Sequence, residues 1–135
     1  MLIVAAPGVP AVEKLRLMGI RGTDDRELER TQKFPWSAIG RVNVRGRGVG
    51  FCTGTLIAPS TVLTAAHCFW NKQTRRWANP SSIDYLAAYS LSRYLAHLKV
   101  KSYRLSDPNL PNLAAIKKDL RKDWAIPGLE KPVGD

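Results

Sequence analysis

The chain has 135 residues, of which 44% are hydrophobic and 24% are charged, and its formal net charge is +10. This length and balance are typical of one globular domain that buries a core without metal ions or many disulfides, and they argue against a disordered chain. No apolar run approaches the roughly 20 residues of a membrane helix. No period of about 20–50 residues recurs. A membrane span and a repeat protein are therefore excluded.

The basic charge is the first candidate for a functional signal, because 21 Lys and Arg residues face only 11 Asp and Glu residues. Such a balance would suit binding to nucleic acid. The basic residues are nevertheless scattered over separate groups, which are Arg41, Arg45 and Arg47; Arg75 and Arg76; and Lys117, Lys118, Arg121 and Lys122. No nucleic-acid motif accompanies them. We therefore do not expect nucleic acid as a partner.

Residues 1–33 are predicted to be a lead-in to the folded part. Met1–Val12 is mostly apolar but lacks the basic start of a signal peptide, and Pro7 and Pro10 interrupt it. Two readings stay open for it, a remnant of a signal sequence or propeptide and an arbitrary start within a longer reading frame. The polar stretch that follows predicts a short helical turn over Asp25–Thr31. The folded part is expected to begin at Phe34.

The next segments predict three short strands. In Ala38–Arg45, Val42 and Val44 alternate with polar residues, which indicates a half-buried strand. Phe51–Ala58 and Thr61–Ala66 are the second and third strands. The Pro-Ser turn between them predicts a hairpin that pivots near Ser60.

The two cysteines can be read from this hairpin. Cys52 and Cys68 are equally far from Ser60 along the chain, so the hairpin would bring their sulfurs to bridging distance. Two Cys and two His would also meet the ligand count of a zinc site, but their spacing does not suit one. We therefore predict a disulfide, worth about 3 kcal/mol for a loop of about 17 residues. A stable disulfide implies an oxidising compartment, either secreted or periplasmic.

The remaining elements complete an all-β pattern. Asn71–Ser82 is predicted to be a loop, and further strands are expected at Ile83–Tyr89, Ala96–Leu105 and Trp124–Leu129. Leu113–Lys122 predicts a short helical turn. Six short strands separated by turn signals indicate a small all-β barrel or sandwich.

Thr64–Cys68, which reads Thr-Ala-Ala-His-Cys, is the most informative stretch. A histidine at a strand end beside a disulfide is held rigidly, as a general base must be. Together with the upstream strand, this segment resembles the trypsin-like, chymotrypsin-fold serine proteases, in the bacterial secreted branch related to the glutamyl endopeptidases. The segments that carry the resemblance are Gly22–Arg26, Phe34–Gly40, Phe51–Pro59, Thr61–Cys68, Asp123–Ile126, Leu129 and Lys131–Gly134.

The resemblance implies a fold and a set of roles. Residues 34–135 would form the N-terminal six-stranded antiparallel β-barrel of the two-barrel protease fold, with the second barrel missing. His67 takes the place of the general base and Asp123 that of the carboxylate that orients it. Asp119 is a rival for that place. The disulfide Cys52–Cys68 matches the family's bridge beside the histidine.

Other candidates are given structural readings. We expect His97, in an alternating strand, to be an exposed surface residue, and Thr53 and Thr55 to be strand residues rather than nucleophiles. No cofactor and no metal ion are implied. Pro127 and Gly128 stand where the family has branched apolar residues, so the sixth strand is expected to be bent or frayed.

The family's nucleophile is missing, because none of the chain's serines lies in a Gly-Asp-Ser-Gly-Gly segment. The resemblance therefore implies a serine endopeptidase of proteins or peptides that is present as a fragment and is inactive alone. Its partner would be the missing C-terminal barrel. The alternative is a non-catalytic pseudo-protease, a binding module that pairs with another chain.

Overall fold

The computed structural model describes residue 23 and residues 33–46, 51–89 and 93–133 of the chain. The helical turn predicted over Asp25–Thr31 and most of the lead-in lie outside the described residues. The strands are β1 Ile39–Val44, β2 Cys52–Ala58, β3 Thr61–Leu63, β4 Trp70–Asn71, β5 Arg76–Trp77, β6 Ile83–Ala87, β7 Ala96–Leu105 and β8 Ala125–Leu129. The helices are α1 Leu113–Lys118 and the 3-10 helices Trp36–Ala38, Ala66–Phe69, Pro80–Ser82 and Leu120–Lys122.

Six of the strands close into an antiparallel barrel in the order β1-β2-β3-β8-β7-β6. The predicted six-stranded all-β barrel is therefore confirmed. The two remaining strands, β4 and β5, form a separate hairpin in which Trp70 pairs with Trp77. In this order β3 lies beside β8, and we call their junction the seam. Thr61 pairs with Gly128 there, and an isolated bridge joins Thr64 to Ala125.

The hydrophobic core combines alternate residues of β1, β7 and β8 with residues of β6, which is buried throughout, and with residues of the helices and loops. Its buried hydrophobic residues are Val42, Val62, Ala66, Cys68, Phe69, Ile83, Tyr85, Ala87, Leu98, Val100, Leu110, Ile116, Ala125 and Leu129. Gly40 of β1 and Gly54 of β2 are paired across the ladder. A Cβ at Gly40 would lie 2.5 Å from the Tyr85 ring and one at Gly54 would lie 2.7 Å from Val62 Cγ1. The two glycines therefore make room for the tyrosine ring in the core.

Two predicted segments differ from the structure. The third strand was expected to run to Ala66, but β3 ends at Leu63, because the backbone N–H and C=O of Thr64 bond to Ala125 of β8. The chain then turns into the 3-10 helix Ala66–Phe69. The predicted loop Asn71–Ser82 contains the end of the β4–β5 hairpin and the 3-10 helix Pro80–Ser82. Both of these elements are too short for periodicity to reveal.

The expected fraying of the last strand is wrong. β8 pairs with β7 along its whole length, with Tyr103 opposite Pro127 and Ser102 opposite Gly128. A register shift in β7 between Val100 and Ser102 accommodates this stretch. Pro127 is fully buried. Its side chain therefore contributes to the core, and the strand that follows Asp123 is intact.

Among the described residues, no helix has the length and apolar character that a membrane crossing requires.

Candidate active site

His67 lies on the 3-10 helix that follows β3. The other three residues of this helix, Ala66, Cys68 and Phe69, are buried in the core, whereas the His67 side chain is 48% exposed. The small side chains of Ala65 and Ala66 let the turn pack tightly against the barrel. The helix is therefore fixed on its inner side and presents one histidine outward.

A disulfide anchors this helix. Cys52 and Cys68 are bonded to each other, with their Cα atoms 6.3 Å apart. The predicted bridge and the predicted hairpin of β2 and β3 are both confirmed, but the two cysteines are not directly paired in the ladder of that hairpin. Cys52 pairs with Val42 of β1, and the ladder between β2 and β3 extends no further than Leu63. The bridge thus ties the 3-10 helix to the start of β2.

Asp123 faces His67 directly. One carboxylate oxygen, Oδ2, lies 2.7 Å from His67 Nδ1, and the other, Oδ1, accepts a hydrogen bond of 2.9 Å from the backbone N–H of His67. A carboxylate can only accept, so Nδ1 carries the proton and the lone pair of the neutral ring is on Nε2. Because only 21% of the Asp123 side chain is exposed, the pair combines a shielded carboxylate with an accessible imidazole.

The seam between β3 and β8 holds His67 and Asp123 next to each other. Thr64 and Ala125 exchange two backbone hydrogen bonds of 3.0 and 2.8 Å, three residues before His67 and two residues after Asp123. The Thr64 hydroxyl also donates to the carbonyl of Thr53. Ser106 supports the other side, since its hydroxyl donates to the carbonyl of Lys122. Sequence reasoning missed Thr64 and Ser106. Thr64 could have been found, because it is the first residue of the histidine motif Thr64–Cys68. No local sequence pattern marks Ser106.

The rivals of this pair lie elsewhere. Asp119 caps the 3-10 helix Leu120–Lys122 and forms a salt bridge with Arg121 at 2.9 Å. Its hydrogen bond from Arg121 lowers the pKa of the Asp119 carboxyl. His97 is exposed on β7, as predicted, and lies 3.5 Å from Asp84. Thr53 and Thr55 are strand residues of β2, also as predicted.

One group of potential metal ligands occurs among the described residues, and it consists of Cys52, His67 and Cys68. The two sulfurs are bonded to each other and so cannot act as thiolate ligands. His67 Nδ1 is already held by Asp123. These residues therefore do not fit a metal centre.

Comparisons with known proteins agree with this geometry. A profile of the family described as Trypsin matches residues 25–133, which is most of the chain. The chain therefore belongs to the trypsin family.

Two bacterial proteins and one insect protein resemble it in sequence. A glutamyl endopeptidase of Bacillus licheniformis is 31% identical over 76 residues, covering 56% of this chain and 23% of that protein. A protein named extracellular metalloprotease, from Bacillus subtilis, is 33% identical over 72 residues, with 50% and 23% covered. CLIP domain-containing serine protease B14 of Anopheles gambiae is 36% identical over 69 residues, with 50% and 17% covered. The matches thus span less than a quarter of each relative.

Two solved structures share the fold. A Glu endopeptidase in complex with MPD superposes with a TM-score of 0.63 at 22% identity, over 81% of this chain and 46% of the other. A scabies mite inactivated protease paralogue gives 0.51 at 18% identity, over 73% and 36%. Taken together, the chain is a member of the trypsin-like serine protease family that is similar in sequence to a glutamyl endopeptidase and shares the fold of a solved Glu endopeptidase.

Proposed function

We propose that this chain supplies the histidine and the aspartate of a serine endopeptidase site. The observation that carries the proposal is the 2.7 Å contact between His67 Nδ1 and Asp123 Oδ2 on a trypsin-family barrel. His67 is the general base and Asp123 is the residue that positions it. The nucleophilic serine lies on polypeptide outside these 135 residues, because the chain contains no Gly-Asp-Ser-Gly-Gly segment.

The geometry assigns each proton in the reaction. The serine hydroxyl loses its proton to the Nε2 lone pair of His67 as its oxygen attacks the peptide carbonyl. The ring, now positive, stays fixed because Asp123 accepts from both Nδ1 and the His67 backbone N–H. The same proton then passes from Nε2 to the leaving amine. Asp123 remains ionised throughout and stabilises the imidazolium.

The substrates are proteins or peptides, as the family membership indicates. The disulfide Cys52–Cys68 supports an oxidising location, secreted or periplasmic. One bacterial relative also carries the word extracellular in its name. The partner of this barrel in catalysis is a second, serine-bearing barrel, and the 135-residue chain has no endopeptidase activity by itself.

The test joins the missing part to the chain. The 135-residue chain is assayed for cleavage of a fluorogenic casein alone, and again when fused to the serine-bearing C-terminal half of the Bacillus licheniformis glutamyl endopeptidase. We expect cleavage by the fusion only. We expect His67→Ala to lower that cleavage by roughly a million-fold, since loss of a triad member removes most of the rate. His97→Ala, which alters the other histidine, is the matched control and leaves the rate unchanged.

Two results would contradict the proposal. The first is His67-dependent cleavage by the 135-residue chain alone, which would place the nucleophile within it. The second is a fusion that cleaves equally well with and without His67.

A non-catalytic binding module is the second candidate, and an apolar surface favours it. Ile39 and Leu63 lie in one cross-strand row with Thr55 on the outer face of β1, β2 and β3, and both are 41% exposed. Ile57, on the same strand as Thr55, is 54% exposed. Analytical ultracentrifugation tests this role. A sharp dimer whose affinity does not change with salt would support it, and a clean monomer would count against it.

A further inference from the structure

A groove with a volume of about 450 Å³ lies between the β4–β5 hairpin and the segment that leads into α1. Its lining includes Lys72 and Arg75 from the hairpin turn and Lys117 from α1. Trp70 and Leu113 add apolar surface, and both are half-buried. The groove therefore offers three cations around a partly apolar floor, and none of its lining residues is acidic.

The three cations of this groove have no carboxylate partner among the described residues. The acidic side chains of the described chain are engaged elsewhere. Asp84 contacts Arg45, His97 and Lys99; Asp107 contacts Lys122; Asp119 contacts Arg121; Asp123 contacts His67; and Glu130 accepts from the backbone of Lys99. Within the part of the chain that the structure describes, no carboxylate therefore compensates the positive charge at the groove, which favours a ligand that carries negative charge.

The walls of the groove are held in place before any ligand binds. The Trp70 and Trp77 rings pack edge to face with centroids 5.1 Å apart across the hairpin. The indole N–H of Trp77 donates to the carbonyl of Leu110 over 2.9 Å, which joins the hairpin to the opposite wall. A preformed site of this kind avoids much of the ordering entropy that binding otherwise consumes.

The turn of the hairpin does not itself call for an arginine. Arg75 has a φ of 56°, in the left-handed region, and its backbone N–H donates to the carbonyl of Asn71. Glycine and asparagine adopt this conformation with less strain. The arginine side chain therefore adds charge to the groove at a position where the backbone would favour another residue.

The groove and the candidate active site are built from neighbouring stretches of the chain. Trp70 follows directly after the 3-10 helix that carries His67, and Lys117 precedes Asp123 by six residues on the segment that supplies the carboxylate.

We infer that this groove binds an acidic stretch of a polypeptide substrate. Carboxylates pair with Lys72, Arg75 and Lys117, and the apolar parts of the peptide contact Trp70 and Leu113. The choice of a polypeptide as the ligand rests on the proposed endopeptidase function. The charge of the ligand rests on the groove alone.

The experiment measures binding without cleavage. A fluorescein-labelled decapeptide of alternating Glu and Ala is titrated with the 135-residue chain at low salt and followed by fluorescence anisotropy. The comparison ligands are the same peptide with Gln in place of Glu and an oligothymidylate of equal charge. The test variant is Lys72→Glu/Arg75→Glu/Lys117→Glu. The control is Lys33→Glu/Lys101→Glu/Arg104→Glu, which makes the same change of net charge outside the groove.

We expect the Glu peptide to bind more tightly than the Gln peptide and its affinity to fall as salt is added. The groove variant should raise its Kd about tenfold or more, since several charge contacts are lost together. The control variant should change it by about twofold at most, since these lysines and the arginine act only at long range. Arg75→Asn, which suits the left-handed turn, should weaken binding and keep the thermal midpoint unchanged or raise it.

Three results would overturn the inference. One is equal binding of the Glu and Gln peptides, and another is an equal loss in the groove and control variants. The third is tighter binding of the oligothymidylate through the same three residues, which would assign the groove to nucleic acid. Because no step of the binding test needs a serine, its failure leaves the endopeptidase proposal standing. Failure of the cleavage test would remove the reason for a polypeptide substrate but leave the measured preference of the groove for negative charge.

Discussion

The barrel carries two aspartate–histidine pairs, and their differences separate a structural pair from a candidate catalytic one. His67 and His97 are equally exposed, at 48% each. Asp123 meets His67 at Nδ1 over 2.7 Å, whereas Asp84 meets His97 at Nε2 over 3.5 Å. Only the first arrangement fixes the ring and leaves the lone pair on Nε2, the nitrogen farther from the backbone.

The neighbours of the two carboxylates differ as well. Asp84, on β6, has Arg45 Nη1 at 2.6 Å and Lys99 Nζ at 3.7 Å in addition to His97. Its charge is therefore balanced without the imidazole. Among the described residues, His67 is the side chain that pairs with Asp123, so the carboxylate orients that ring. A histidine beside an aspartate is thus not by itself a candidate catalytic site. Its role depends on which ring nitrogen contacts the carboxylate and on which other cations surround that carboxylate.

Removing the disulfide should have the largest effect on stability, and it should change the surroundings of His67 but not those of His97. Cys52→Ser/Cys68→Ser is expected to lower the free energy of unfolding by about 3 kcal/mol, because the unfolded chain regains the entropy of the closed loop. Urea unfolding measures this loss. In the folded variant, the ring-proton NMR signals of His67 should shift, because Cys68 is its neighbour, while those of His97 stay in place. Equal shifts of both rings would show that the disulfide does not act locally on the candidate site.

Replacing each aspartate by asparagine should show that Asp84 contributes more to the stability of the fold than Asp123 does. Asp84→Asn is expected to lower the free energy of unfolding by about 2 kcal/mol, because this carboxylate is only 9% exposed and lies against Arg45 and Lys99. Asp123→Asn should cost less than about 1 kcal/mol, since its histidine partner is half-exposed and can turn to water. Chemical denaturation of both variants at neutral pH measures the two values. A larger loss for Asp123→Asn would make that pair a structural element.

The buried Tyr85 and the half-buried Tyr103 provide a smaller, pH-dependent test of the same two regions. Burial raises the pKa of Tyr85, beside Asp84, and of Tyr103, which packs on Phe69 of the His67 helix, from 10.0 to about 12. The unfolded chain therefore releases these protons first as the pH rises. The stabilisation from the two neutral rings is complete below pH 10 and is lost as the pH rises toward 12.

Unfolding curves between these pH values check this expectation. Tyr85→Phe and Tyr103→Phe should each reduce the dependence of stability on pH. Tyr94→Phe, which alters an exposed ring, is the control and should leave it unchanged. A pH dependence that none of the three substitutions alters would show that other groups control alkaline unfolding.

Much of this architecture could be predicted from local patterns. The alternation in β1 and β7 and the prolines and glycines between strands indicate the six barrel strands, and β7 was predicted with its observed bounds. The histidine motif carried the family resemblance, and through it the pairing of His67 with Asp123. These features depend on residues close together in the sequence, or on a family resemblance that indicates which distant residues are in contact.

The rest depends on contacts between distant segments. β3 is shorter than predicted because Thr64 bonds to Ala125 across the seam, which no periodicity reveals. Pro127 stays within β8 opposite Tyr103, and the register shift of β7 lies opposite the next two residues, Gly128 and Leu129. The groove beside the β4–β5 hairpin brings Lys72 and Arg75 to Lys117, which lie in separate groups along the chain. For this reason the sequence showed scattered charge where the fold shows a cluster.

The seam between β3 and β8 also has a consequence for how the protein folds. It joins distant parts of the chain, since His67 and Asp123 beside it are 56 residues apart. Contacts of such long sequence separation are entropically expensive to form early. We therefore expect the aspartate and the histidine to meet only after the other strands have paired. A chain that has not finished folding would then be unable to support proteolysis.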